Sequence, residues 1–360
     1  MRSNFYKIFP VPTFLEMPAV GFDISDHSIR FAELLETRKG LVLKNYGEYE
    51  IPEGIVSSGE IKSVEGLRKV FADLQKELST KFVMVALPEE HAYLLELGMA
   101  TTKPSDVRSM LELQLEEHVP IPPADALFDY ELMDAGRVRD GIIDVAVSAV
   151  HRGLVDSYLE TFQGTGLTPT VFEIEPESIA RAVIPEGDKG TYMIMDFGKT
   201  RTGISIVNNG GISVTSTVAV GGMSLTRTIA KELAVSLEEA EKIKHERGFA
   251  RTQENEALFG ALMANVSILR DELIRHYNYW HEHPDAHGRR RAGIEKVILC
   301  GGDSNLTGFA EFLSLGLHAP VELARVMQNV NSLSKYVPEI SFNDSLRYAT
   351  AIGLALRRPR

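Results

Sequence analysis

Apolar and polar positions alternate along the chain in blocks that separate strands from helices. "SIRFAEL" and "LVLKNYGEYEI" show a period of two on either side of Lys39-Gly40, which predicts a pair of strands over residues 29–50. In "SVEGLRKVFADLQKEL" the residues Val64, Leu67, Val70, Phe71, Leu74 and Leu78 recur at helical spacing, and "FVMVALP" then predicts a short strand. The first segment reads β-β-β-α-β, with "AVGFDISDHS" and Asp23 in its first turn. Residues 88–170 read as a separate small α/β unit. It has a strand "AYLLELGM", a helix "SDVRSMLELQLEEHV" capped at Ser105 and stopped by "PIPP", a strand "GIIDVAVSAV", and a helix ending at Gly164. "TPTVFEI" and "PESIARAVI" add one more strand and helix.

At residue 191 the opening pattern returns. "TYMIMDFGKTRTGISIVNNGGISVTSTVAV" is again a strand ending in Asp, here Asp196, then a tight turn at Gly198 and two further alternating strands. Two helices follow, the second capped by Ser236 with Glu239 at the capping-box position. A long helix spans roughly residues 253–282, followed by strand "EKVILC", turn "GGDSN", helix "LTGFAEFLSLG" and a last helix at "SLRYATAIGLALRR". The repeat predicts two similar units facing each other across a cleft, each contributing one Asp turn.

Composition adds limits. With 360 residues, two domains or one large two-lobed fold are expected. No apolar run approaches the ~20 residues needed to span a bilayer, and Pro10, Pro12, Glu16 and Pro18 interrupt the apolar N-terminal stretch. Cys300 is the sole cysteine, so no intrachain disulfide forms, and a reducing, cytoplasmic setting is expected. A net charge of −12 argues against nucleic acid as a partner. The basic run Arg289, Arg290, Arg291 reads as a solvated loop. His281, His283 and His287 lie close together in "HEHPDAH", but their spacing matches no standard zinc pattern.

Taken alone, Asp23 reads as an ordinary turn carboxylate, because Asp and Ser favour turns through local hydrogen bonds. The repeat changes that reading. Two carboxylates about 4 Å apart repel by roughly 4 kcal/mol at an effective dielectric of ~20. Such a pair persists if one is protonated or if a cation lies between them, and magnesium suits oxygen ligands that share a phosphate. Turns with Gly198 and the small Ser25 let backbone N–H groups curl around phosphate oxygens, with Thr200 and Thr202 as further hydroxyl donors. Gly301-Gly302 before a helix start fits either an ordinary β-to-α turn or a close approach to a nucleotide. Neither "GxxxxGK[ST]" nor "GxGxxG" occurs, which disfavours the P-loop and Rossmann folds.

In order along the chain, "GFDIS", "FEIEPESIARAV", "DFGKTRTGISIV", "CGGDSNLTGF" and "RYATAIGLAL" resemble five motifs of the actin/Hsp70/sugar-kinase superfamily. These are phosphate 1, connect 1, phosphate 2, adenosine and connect 2. "LEEHVPIPPADALFDYELMD" and "AVGGMSLTRTIAKELAVSLEEAEKIK" narrow the resemblance to PilM-like proteins of type IV pilus assembly, over residues 19–357. It implies a duplicated RNase H-like actin ATPase fold, α/β, with two lobes around a nucleotide cleft. Lobe I would comprise residues 19–87, 171–188 and 340–360, and lobe II residues 189–339. An inserted α/β subdomain would occupy 88–170, with an extension at 1–18.

The resemblance also implies roles. Asp23 and Asp196 match the Mg2+-facing aspartates, acting through water, and ATP is the implied ligand. Ser25, Asp26, Gly198, Lys199, Thr200 and Thr202 occupy the phosphate turns. Gly221 and Gly222 match the glycine pair lining the cleft, Glu241 and Lys244 the ribose and adenine grip, and Gly301, Gly302 and Asp303 the adenosine turn. From the residues alone, Glu241 and Lys244 read as a solvated ion pair one helical turn apart. Glu175 is the candidate for orienting an attacking water. Three positions depart from the family pattern: Ser25 replaces a usual glycine, Cys300 a small residue, and Asp303 a small neutral one. They bear on turnover more than on binding.

The implied partner is the N-terminal cytoplasmic peptide of a PilN-like inner-membrane protein, bound around residues 84–130, with self-association a further expectation. "VPIPP" reads either as a helix-stopping loop or as a peptide contact. The membrane would be reached only through that partner. The alternatives are a cell-division protein resembling FtsA and a small-molecule kinase of the same superfamily. The first ends in an amphipathic tail that "LRRPR" does not supply. The second needs a carboxylate base beside a substrate pocket.

Overall fold

The computed structural model describes residues 19–357, apart from residues 102, 137, 140, 250, 251, 253, 254, 286, 287 and 332–335. The segment 1–18 and His287 therefore lie outside the described residues. Strands β1 (Val20–Ile24), β2 (Ser28–Thr37) and β3 (Gly40–Glu50) form an antiparallel meander. A short ribbon, β4 (Val56–Ser57) with β5 (Glu60–Ile61), precedes helix α1 (Val64–Leu74), whose first turn is capped by the Ser63 hydroxyl accepting from the Gly66 N–H. Strand β6 (Phe82–Leu87) returns parallel to β1.

An antiparallel sheet follows, built from β7 (Ala92–Met99), β8 (Ala126–Leu132), β9 (Val138–Arg139) and β10 (Ile142–His151), with β10 central between β7 and β8. Helix α2 (Val107–His118) buries Val107, Leu111 and Leu115 against that sheet. Helix α3 (Arg152–Phe162) leads back to β11 (Thr168–Ile174), which lies parallel to β6 and completes the first sheet in the order β11-β6-β1-β2-β3.

Helix α4 (Glu175–Val183) connects to β12 (Thr191–Phe197), β13 (Thr202–Asn208) and β14 (Gly211–Val218), a second antiparallel meander. Helices α5 (Gly222–Leu233), α6 (Leu237–Arg247) and α7 (Glu256–Glu282) come next. Strand β15 (Lys296–Cys300), helix α8 (Phe309–Ser314), strand β16 (Val321–Leu323) and helices α9 (Phe342–Ser345) and α10 (Ala349–Ala355) finish the chain. The second sheet runs β14-β13-β12-β15-β16, with β15 parallel to β12 and β16 parallel to β15. Strand for strand this is the first sheet over again: three antiparallel strands, then two parallel ones.

Burial explains the arrangement. Strands β1 and the first five residues of β12 are buried on both faces, as expected for the centre of a sheet covered by helices. Along α7 the buried positions Leu258, Leu262, Val266, Leu269, Leu273, Tyr277 and Trp280 form one stripe against the second sheet. Each such side chain contributes ~1.5–3 kcal/mol when fully buried. Helices α4 and α10 sit where the two sheets meet. A Cβ on Gly21 would overlap the Ala351 carbonyl, and one on Gly353 would overlap the Ser178 carbonyl. Buried Glu173 holds both Arg181 of α4 and Arg357 after α10, and Arg181 also donates to the Gly353 carbonyl at 2.8 Å. No described helix is long and apolar enough to cross a membrane.

Several local expectations change. Pro104 starts a 3-10 turn over Pro104–Asp106, so Asp106 rather than Ser105 precedes α2, and the Ser105 hydroxyl donates to the Asp106 carboxylate at 3.0 Å. "ALFDYEL", for which the sequence pattern predicts no element, is strand β8, paired with β10 along its full length. Val119 and Ile121 of "VPIPP" face the core of that unit. Arg291 is not a solvated loop charge: its guanidinium lies 4.3 Å from the Trp280 ring centroid and 3.7 Å from Glu96 of β7. His281 and His283 pair their Nδ1 atoms with the backbone carbonyls of Tyr277 and Tyr279.

The tight seam between α4 and α10 is testable. Gly353→Ala forces the helices apart and lowers unfolding free energy by about 1–3 kcal/mol. Urea denaturation followed by circular dichroism checks this, and an unchanged midpoint contradicts the close approach.

Candidate functional site at the facing strand ends

Parallel neighbours put their carboxyl ends at the same edge of a sheet. In the first sheet β1, β6 and β11 are such neighbours, so Asp23 near the end of β1, Glu89 just past β6 and Glu175 just past β11 come together. In the second sheet the ends of β12 and β15 supply Asp196 and the Gly301-Gly302-Asp303 turn. The two edges face one cavity of about 610 Å3.

Each turn is closed by its own residues. The Ser25 N–H and hydroxyl both donate to the Ser28 carbonyl, at 2.9 and 3.0 Å, and Asp26 accepts the Gly59 N–H at 3.0 Å. In the second turn the Gly198 N–H donates to the Arg201 carbonyl at 3.0 Å. The start of α5 docks on this turn, Gly222 and Met223 N–H groups donating to the carbonyls of Gly198 and Lys199 at 3.0 and 2.8 Å. A Cβ on Gly221 would stand 2.6 Å from the Lys199 carbonyl, and one on Gly222 would overlap the Asp303 carboxylate. Gly301 has φ +94° and lies against the Phe197 carbonyl, a place only glycine fills without strain.

Most sequence-predicted residues line the cavity. Asp23, Ser25 and Asp26 come from the first turn, and Asp196, Gly198, Lys199 and Thr200 from the second. Glu175, Glu241, Gly301, Gly302 and Asp303 complete the set. Four stand behind the wall. Thr202 is fully buried and its hydroxyl donates to the Val220 carbonyl at 2.6 Å. Gly221 and Gly222 are buried contacts between α5 and its neighbours. Lys244, 1% exposed, is held between Glu241 at 2.9 Å and Asp303 at 2.5 Å, so the pair that reads as solvated in sequence is half buried with a third member. His245 stands 3.3 Å from Glu241 and 3.7 Å from Asp303, and these three are the group of potential ion ligands found among the described residues.

Six charged residues at the site have no role in the motif reading. Arg30 lies beside Asp23 at 3.9 Å and Glu48 at 2.8 Å, and Glu48 also meets Arg347 at 3.6 Å. Arg201 reaches from the second turn to the first sheet's edge, 3.0 Å from Glu90, 3.4 Å from Glu175 and 4.0 Å from Asp26. Glu89 is 8% exposed, and its Oε1 has no hydrogen-bond partner. The available signal was topological: "LPEE" follows a strand parallel to the one ending in Asp23.

Burial dominates the protonation of these acids. It pushes Asp23 up to about 6, with Asp196 adding repulsion and Arg30 opposing it. Asp196 rises to about 6 by burial and the nearby Glu175, and Glu175 to about 7 by burial, against the pull of Arg201. Glu89 is raised well above the carboxylate range by burial and by Glu175. Glu241 goes the other way: burial opposes ionisation, but hydrogen bonds from His245, Thr226 and Lys244 bring it down to about 2. The site thus gathers acids whose ionisation burial holds back, around two turns closed by their own backbone hydrogen bonds. An oxygen-seeking cation with a phosphate chain suits that donor set.

Two lobes of one topology, facing each other across an acid-lined cavity, define an actin-like fold. Solved structures agree: one described as the PilM-PilN type IV pilus biogenesis complex matches with TM-score 0.77 at 20% identity, covering 95% of this chain and 98% of that one. MreB5 of Spiroplasma citri bound to AMPPNP matches with TM-score 0.54 at 13% identity, covering 87% and 93%. In sequence, the cell division protein FtsA of Neisseria meningitidis serogroup B is 24% identical over 345 residues, which is 81% of this chain and 77% of FtsA. The family model described as type IV pilus assembly protein PilM matches residues 21–359, and the chain belongs to that family.

The raised carboxyls make the ligand-free protein pH-dependent. A carboxyl whose folded pKa exceeds its unfolded value near 4 contributes stability that is present at lower pH and lost as pH rises through about 6. Asp196→Asn therefore stabilises the ligand-free protein by about 1–3 kcal/mol near pH 7.5, and by little near pH 4.5. Paired urea titrations in chelator check this; a benefit independent of pH contradicts it.

Proposed function

We propose that this member of the PilM family is an ATP-binding assembly protein, in which Mg2+-ATP sets the arrangement of two lobes that present a surface to a membrane-anchored partner. The observation that carries the reading is the convergence of Asp23 and Asp196, from duplicated turns, on one cavity with Glu241 and the Gly301-Gly302-Asp303 turn. Asp23 and Asp196 would hold Mg2+ through water, which offsets their mutual repulsion and favours the ionised forms. Backbone N–H groups and side chains of the turns at Ser25–Asp26 and Gly198–Thr200 would carry the phosphates. Glu241 would grip ribose and base, with Lys244 fixing Glu241 from behind the wall and Thr202, Gly221 and Gly222 supporting the walls rather than touching the ligand. Glu175 is the residue proposed to orient water in any hydrolysis.

The proposed lobes are residues 19–87 with 171–188 and 340–360, and residues 189–339, with the insert at 88–170. A nucleotide clamp of this kind acts only if it binds one lobe arrangement better than another. The partner is proposed to be the N-terminal cytoplasmic peptide of a PilN-like inner-membrane protein, laid along the insert around residues 84–130. The reading is supported by family membership and by the likeness to the PilM-PilN complex. Placement in the cytoplasm, peripheral to the inner membrane through that partner, follows from it.

Two measurements test the proposal. Asp23→Ala and Asp196→Ala each weaken Mg2+-ATP binding at least about a hundredfold, while wild-type affinity increases from about pH 5.5 to 7.5 as the acids ionise. Calorimetry that finds both variants unaffected removes the site. Titration with the cognate PilN N-terminal peptide reports on the partner, and no binding at high micromolar concentration removes that assignment.

A further inference from the structure

The cavity has two distinguishable ends. One is marked by the mutually paired Glu241, His245 and Asp303, the other by Glu175 and Glu89 with Arg201 of the second turn. At the second end a further cavity of about 520 Å3 adjoins the first, and the two share Asp26, Glu89, Thr200, Arg201 and Thr217 on their walls. Arg201 is the cation at this junction. Its guanidinium crosses from the second sheet's turn to three carboxylates of the first sheet's edge: Glu90 at 3.0 Å, Glu175 at 3.4 Å and Asp26 at 4.0 Å.

We propose that Arg201 reads the third phosphate of the bound nucleotide and reports its presence to the insert through Glu90. The proposal rests on the nucleotide reading given above. A nucleotide with its base at the Glu241 end directs its phosphate chain past the two turns toward Arg201, and only the third phosphate extends to that end. A guanidinium carries five donors in a fixed fork and binds phosphate in two-point fashion, so it can exchange a carboxylate for a phosphate without losing its hydrogen bonds.

The charge around Arg201 favours the exchange. Asp23, Asp26, Glu89, Glu90, Glu175 and Asp196 crowd this region, and in the ligand-free protein Arg201 is a shared counter-ion for several of them. A divalent cation held by Asp23 and Asp196 would take over part of that task, but only a third phosphate would offer the guanidinium an anion in exchange for its carboxylates. A diphosphate brings the cation but leaves Arg201 with its carboxylates. The consequence travels outward through one short link. Glu90 lies in the 3-10 turn Glu89–His91, and the next residue is Ala92, the first of β7 in the insert. Whether Arg201 holds Glu90 therefore differs between triphosphate and diphosphate, at the base of the sheet proposed to receive the partner peptide.

The test uses the full chain, Mg2+-AMPPNP and Mg2+-ADP, titrated by calorimetry. Wild type binds AMPPNP roughly ten- to a hundredfold more tightly than ADP, the range expected for charge-assisted hydrogen bonds. Arg201→Ala removes that preference while ADP affinity stays within about twofold, and Arg201→Lys restores only part of it. Glu90→Gln, which frees Arg201 from its nearest carboxylate, keeps or widens the preference. It also abolishes the difference in hydrogen exchange along residues 92–99 between the two nucleotide states. Equal weakening of both nucleotides in Arg201→Ala, or a preference that survives the substitution, overturns the proposal and leaves the nucleotide site standing. A wild type that binds neither nucleotide overturns both. Circular dichroism of each variant separates loss of fold from loss of contact, and the Glu90→Gln result stands if Arg201→Ala does not fold.

Discussion

The rest of the structure answers to one electrostatic constraint, the crowding of acids where parallel strands end. The parallel order β11-β6-β1 brings Glu175, Glu89 and Asp23 to one edge, and Asp196 faces them from β12. Like charges within a few ångströms in a partly desolvated setting repel by several kcal/mol. The fold meets this in two ways at once. It keeps part of the acids protonated near neutrality, and it threads Arg30 and Arg201 between them. Neither device removes the repulsion completely, and Glu89 Oε1 is left without a partner. A site that is stable but unsatisfied is one that gains from a cation.

The glycines serve the same end by geometry. Gly221 and Gly222 let α5 press onto the second turn and let Asp303 lie beside it, while Gly301 lets the third turn pass under Phe197. At the seam between the sheets, Gly21 and Gly353 bring α10 against β1 and α4. Close approach at these glycines thus fixes the second and third turns and the seam between the sheets.

The departures from the family pattern have local explanations. Ser25 uses its hydroxyl to close its own turn, where a glycine would leave that hydrogen bond unmade. Asp303 gives the buried Lys244 a second carboxylate partner beside Glu241. Cys300 is fully buried with its Sγ 3.9 Å from Asp196, a weak donor beside a carboxylate. With 20% identity and a TM-score of 0.77 to the solved complex, the fold is shared at low residue identity.

Much of the fold was legible because the signals are local. Period-two runs marked β2–β3 and β13–β14, helical spacing marked α1, and the recurrence of an Asp-tipped strand disclosed the duplication. Where local chemistry gave a mixed message, the reading went astray: β8 carries both Asp129 and Glu131, and Pro104 moved the start of α2 past Ser105. The charged members of the site were hidden for a different reason. Arg201 sits inside a quoted motif and Glu89 beside a quoted strand, yet nothing in their neighbours says which carboxylate or cation they will meet. Sequence by itself determined that two Asp turns exist and that each ends a buried strand. Tertiary structure alone decided that Glu89 and Arg201 join them, because strand order and direction, not distance along the chain, fix which ends share an edge.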